Sequence, residues 1–305
     1  MKERCAYQDE EIIRIEKEWI AKSIKDRGKA NKKIEEINSH INNILLLLGD
    51  NANCKFNAIE GRELCIFHDP DYWKDHKEEI RDRFLEEVKK GERFFIGFHI
   101  AIRFPKVINQ DLHLELTKIH DILDANDIVF ISDIWFTFAE FNDNVSFNEA
   151  KFNGEVSFNF TEFNDKASFI GAKFNDKASF IGAKFNDKAS FNKTEFNKEV
   201  SFFEVVFNEV EFNEAKFNKV SFNEAKFNKE VSFNEAKFNK EVSFDFAEFH
   251  GDTSFKRAVF ISNTSFNLAK FHEASFDFAE FHGDVSFNRT KFHKEASFSK
   301  VLWNT

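Results

Sequence analysis

From Phe136 to Trp303 an aromatic residue returns every five or six positions without a break. The series runs Phe136, Phe141, Phe147, Phe152, Phe158 and onward to Phe292, Phe298 and Trp303, 32 centres of which only the last is not Phe. Five and six mostly alternate, which makes an 11-residue unit, and two units are literal copies: 163–173 recurs as 174–184, and 222–232 as 233–243. The chain of 305 residues holds 44 Phe against 2 Tyr. A bias that strong marks one structural position copied many times, the signature of a repeat architecture.

Two residues before each centre stands a small or β-branched residue, such as Ala139, Val145, Ala150, Val156 and Thr161. In extended backbone, residues two apart share a face, so each short strand turns one large and one small apolar group inward. Ser, Lys or Glu lies between them and Asn usually follows, both pointing outward, with Asn suited to a bent corner. A helical 11-residue repeat turns at 3.67 residues, which would set the two Phe of a unit roughly 230° apart, off any single seam. Phe, Asn, Ser and Val are also middling or poor helix formers.

The residue before the centre alternates between Ser and Lys or Glu from Ser146 to Ser297, with exceptions at Val206, Glu211 and Val259. That phase survives where a six-residue step shrinks to five, at 207–212, 217–222 and 271–276. Like stacks on like only if each coil has an even number of sides, and two sides cannot enclose Phe rings. Four sides follow, with about 8 coils between Phe136 and Trp303 and a rod roughly 38 Å long. The extra residues then collect on two opposite edges as stacked bulges. The regular coils begin near Phe130. Upstream, Leu114, Ile119, Ala125, Phe130 and Phe136 keep the rhythm, and residues 93–130 read as degenerate first coils or a cap.

The motifs Ala-Lys-Phe-Asn-Lys at 225–229 and Val-Ser-Phe-Asn-Glu at 231–235 resemble the pentapeptide-repeat consensus Ala-Asp/Asn-Leu-x-x, with Phe for Leu. The many six-residue steps depart from that consensus. The resemblance implies a right-handed quadrilateral parallel β-helix, mainly β, that binds other proteins and has no catalytic site. Some members of the family mimic DNA and bind gyrase or topoisomerase, which requires a strongly negative rod. Between Phe136 and Thr305 there are 26 acidic and 21 basic residues, a net of −5, with Lys interleaved throughout. The expectation is therefore a protein-binding scaffold with no direct nucleic-acid binding, and DNA mimicry is the alternative. Many members also dimerise through the C-terminal coil. Here Val301, Leu302 and Trp303 close the repeats with apolar residues where a terminal coil usually carries polar ones, so a homodimer through that coil is expected.

Residues 1–92 read as a helical hairpin followed by a Cys/His knuckle, and residues 131–305 as the repeat domain. Ile34, Ile37, Ile41, Ile44 and Leu48 follow helical spacing, and Gly28 divides the stretch. A hairpin brings Cys5 back toward Cys54, and Cys65-x-x-His68 follows ten residues on. Two intervening residues let a Cys and a His face one ion, so Cys5, Cys54, Cys65 and His68 are candidate ligands of a closed structural zinc site. The run Leu64–Asp69 also resembles a knuckle found ahead of some Phe-centred pentapeptide repeats. Residues 69–90 read as an amphipathic helix, with Pro70 near its start and Gly91 at its end.

The formal charge of −10 comes from 43 basic and 53 acidic residues, a mixed surface that suits solubility. No stretch of 18 apolar residues and no apolar signal core occur, so neither a membrane span nor secretion is expected. Three cysteines do not form a disulfide framework and fit a reducing cytoplasm. No phosphate-cradling Gly loop, nucleophile elbow or His-Glu-x-x-His appears, so no enzyme is expected. One deviation stacks: His250, His272 and His293 replace Asn on one side in successive coils, with His282 on another, which reads as an exposed polar ladder.

Overall fold

A computed structural model describes residues 56, 59–60, 65–69, 71–95 and 98–304. Two compact units divide the chain, Met1–His76 and Lys77–Thr305. The second is a parallel β-solenoid of about nine turns.

Each coil has four sides. Phe136, Phe141, Phe147 and Phe152 occupy sides one to four, and Phe158 stacks back on Phe136 at 5.0 Å with the rings 5° apart. Phe163 lies in the same way on Phe141 and Phe174 on Phe152. Strands pair only with their counterparts one coil away, always in parallel, as Glu140–Phe141 does with Glu162–Phe163. Rings stack along each column and meet edge-on across the interior, as Phe158 and Phe169 do at 5.7 Å and 80°. Both arrangements suit the ring quadrupole, positive edge against negative face. Phe158, Phe163, Phe169 and Phe180 are fully buried, as are Ala139, Ala150 and Ala172 between them. Burying each ring contributes about 1.5–3 kcal/mol.

Corners come in two kinds. After sides one and three the chain makes a tight turn, with Ala150 N–H donating to Phe147 O at 3.1 Å. The residue two past the centre, such as Glu149, Phe160, Glu214 or Glu235, takes a φ of 54–60°. Positive φ at the third position of a hydrogen-bonded four-residue turn defines type II. Asn, expected to absorb the bend, instead precedes the left-handed residue. Gly occupies that left-handed position at Gly171 and Gly182. After sides two and four the corner is wider and holds the sixth residue. Where a five-residue corner stacks on a six-residue one, the register slips, as between Phe185 and Lys188. The added residues therefore lie on two opposite edges.

Residues 99–130 run in register with the coils that follow. Ile100 pairs with Ile119, Val107 with Val129, Leu112 with Ile134 and Leu123 with Val145. Ile100 takes the first place in the side-two column. A 13-residue helix, Lys77–Lys89, closes this end of the unit. Ile80, Phe84 and Val88 are buried, and the Phe84 ring meets Phe95 at 4.6 Å and Phe104 at 5.9 Å. Arg81 pairs with Asp121, and the Gln110 side-chain amide caps Val88 O at 2.7 Å. The opposite end differs. Phe298, Leu302 and Trp303 are 36%, 51% and 49% exposed.

Candidate interaction faces

The outer surface is built from ladders. On sides one and three, Asn after the centre is tied to the next coil. Asn148 Oδ1 accepts from Ser168 Oγ at 2.6 Å and from Ile170 N at 2.8 Å. Asn126, Asn213 and Asn234 repeat the pattern, and Asp245 and Asp277 substitute for Asn in it. On sides two and four, Asn amides hand hydrogen bonds down the column, Asn186 to Asn164 to Asn142 on one and Asn197 to Asn175 to Asn153 on the other. Beside them Lys and Glu alternate in ion pairs between coils, Lys118–Glu140, Lys184–Glu162 and Lys270–Glu248.

These contacts shift the carboxylates. A hydrogen bond from Lys216 holds Glu195 below the ordinary carboxylate range, with Lys173 adding to it against partial burial. Lys270 does the same for Glu248. Burial works to raise Glu211, but hydrogen bonds from Lys188 and Asn192 outweigh it and hold that group low. Lys188, gripped by Glu211 at 2.5 Å and Glu209 at 2.9 Å, is raised far above the usual lysine value.

In the first unit, Cys65 and His68 come together as their spacing predicts. Cys65 is fully buried and His68 nearly so, with Sγ 3.3 Å from Nδ1. A turn in which His68 N and Asp69 N both donate to Cys65 O sets that geometry. Tetrahedral zinc with ordinary Zn–S and Zn–N bonds places two such ligands about 3.6 Å apart, so the pair fits. Cys5 and Cys54 lie outside the described residues, as does the proposed hairpin. Among the described residues no three His, Cys, Asp or Glu side chains converge on one metal position.

His250, His272 and His293 do occupy one column, since Phe249, Phe271 and Phe292 are paired in succession. His250 faces Glu248 at 3.5 Å, and His272 faces Asp252 at 3.6 Å. Two features escaped sequence reasoning. The His99 and His120 rings lie 5.2 Å apart and nearly parallel, and His120 meets Asn142 at the head of the Asn column. The buried His113 lies between the Phe94 and Trp135 rings and pairs with the buried Glu115 at 3.1 Å. His113 and Glu115 flank centre Leu114 where later coils carry Ser and Asn, a substitution visible in the sequence once the rhythm is carried that far.

Residues 158–206, 202–247, 212–259 and 233–280 match a family model described as pentapeptide repeats (9 copies). Among solved structures the chain is similar to HetL, a pentapeptide repeat protein involved in heterocyst differentiation regulation from the cyanobacterium Nostoc sp.. The likeness covers 72% of this chain and 95% of that one, at 11% identity and a TM-score of 0.22. No curated protein matches the chain.

Proposed function

Residues 158–280 match the pentapeptide-repeat family, and from that match we propose that the chain serves as a non-enzymatic scaffold whose polar ladders bind a protein partner. The observation that supports this reading most is the tying of side chains between coils. Asn148, Ser168 and their equivalents are fixed by hydrogen bonds, so the faces present polar groups at a constant spacing of about 4.8 Å. A surface ordered before binding loses little entropy when a partner docks. No helix among the described residues is long and apolar enough to cross a membrane, and the cytoplasm is the compartment we propose.

The alternative, a DNA mimic acting on gyrase or topoisomerase, needs a continuous negative surface. The Lys118, Lys184 and Lys270 ion pairs interrupt one. A supercoiling assay with purified protein separates the two: the scaffold reading expects unchanged gyrase and topoisomerase activity, and inhibition at micromolar protein would overturn it in favour of the mimic.

Two further properties belong to this reading. A structural zinc held by Cys5, Cys54, Cys65 and His68 would tie the N-terminal unit together. Elemental analysis should find about one zinc per chain, reduced by Cys65→Ser; metal-free protein refutes it. The exposed Phe298, Leu302 and Trp303 support homodimerisation through the C-terminal coil. At about 0.5 M salt, where charge contacts are screened, light scattering should show a dimer that Trp303→Asp dissociates, and a wild-type monomer at micromolar concentration ends that proposal.

A further inference from the structure

Two adjacent charge columns climb the corner after side two, and both change sign at the same coil. The inner column reads Lys166 and Lys188, then Glu209, Glu230, Asp252 and Glu273. Its order is fixed by the pairings Ala167↔Ala189, Lys188↔Glu209, Val210↔Val231, Val231↔Thr253 and Asp252↔Glu273. The outer column reads Asp165 and Asp187, then Lys229. The Lys166, Lys188 and Glu230 coils are neutral at this corner and the Glu209, Asp252 and Glu273 coils carry one negative charge each, so the corner runs from mixed to acidic along the rod. The equivalent corner after side four has no such break, since Glu155, Lys177, Glu199 and Lys219 alternate there.

We propose that this corner is a self-recognition surface on which two copies of the chain pack antiparallel, about a two-fold axis through the Glu209 coil. An axis lying in the interface and perpendicular to the rods reverses the order of the coils while keeping inner column on inner and outer on outer. Lys166 then meets Asp252 of the second copy, and Asp187 meets its Lys229. Parallel rods turned about a two-fold along their length instead set inner column on outer, where Asp252 has no part, so the exchange of Lys166 with Asp252 below tells the two orientations apart. The sign change sits on the sixth of the ten residues stacked from Ile100 to Phe292, near the middle of the rod, which lets the two rods overlap along most of their length.

The charges are available for this role. Lys166, Lys229 and Glu230 are exposed and make no ion pair among the described residues. Lys188 is already held by Glu209 and Glu211 of the coil on the axis. The acidic half is a shallow trough of about 410 Å³, with Glu230, Asp252 and Glu273 among its walls, able to receive the Lys166 ammonium. A two-fold contact of this kind is closed, so by itself it gives dimers and not fibres.

This association goes beyond the scaffold reading and is separable from contact through the C-terminal coil by its salt dependence. With the C-terminal contact removed by Trp303→Asp, sedimentation of the full chain at low salt should show a dimer that dissociates as salt approaches about 0.5 M, where screening shortens to a few ångströms. Lys166→Glu, which places two carboxylates together twice per dimer, should weaken association about tenfold or more. The double exchange Lys166→Glu with Asp252→Lys should restore it, and thermal melting should show both variants folded. Trp303→Asp should leave the salt-sensitive association unchanged. Mass independent of salt, wild-type association by Lys166→Glu, or no recovery in the double variant would each overturn the proposal.

Discussion

Phe carries the core because each ring is shared by neighbours above, below and across. Phe212 touches Phe191 and Phe233 at 5.0 and 4.9 Å in its column and meets Phe202, Phe207 and Phe222 within the interior. Phe212→Ala should cost about 3–5 kcal/mol in denaturant unfolding, and hydrogen exchange should show the loss confined to adjacent coils. The same column was legible at residue level, because an inward position repeated 32 times leaves no other reading of the spacing. The left-handed turn residue was not legible. Glu235 sits at φ 60°, where a side chain costs about 1–2 kcal/mol, whereas sequence alone credited Asn with the bend. Glu235→Gly relieves that cost but loosens the unfolded chain by about 0.5–1 kcal/mol, leaving a net gain of up to about 1.5 kcal/mol, readable as a raised midpoint.

At the scale of a coil, the Ser-x-Asn triplet is a device that joins turns. Asn148→Ala removes the acceptor of both Ser168 Oγ and Ile170 N and should cost about 1–3 kcal/mol. Asn148→Asp should cost far less, because Asp245 and Asp277 already fill this role. Sequence reasoning placed these residues on the surface but could not pair them, since their partners are 20 to 22 positions away. The Lys/Glu columns make a second test. Glu195, Glu211 and Glu248 have folded pKa values below the unfolded carboxylate value. Their contribution is complete above the unfolded pKa of about 4.3 and is lost as pH falls through the lower folded values. Melting temperature should therefore stay level from neutral pH down to about 5 and drop below about 4.5, with a shallower drop in Lys270→Met.

For the molecule as a whole, four-sidedness followed from one modest regularity, the survival of the Ser versus Lys/Glu phase across shortened steps. The coils between Ile100 and Phe130 were harder to see because Leu, Ile and Ala replace Phe there. The knuckle was half legible: Cys65 and His68 are three positions apart and meet in space, whereas their distant counterparts depend on a hairpin that local sequence does not fix.

The repeat makes a strict statement about distance. Residues 142 and 272 follow Phe141 and Phe271 in the side-two column, six coils apart. Pulsed electron–electron resonance between spin-labelled unnatural residues at these positions, diluted with unlabelled protein, should give one narrow separation near 29 Å, from six coils at about 4.8 Å each. A broad distribution, or a separation lengthened by a whole coil or more as three-sided winding requires, would contradict a four-sided solenoid stacked on phenylalanine.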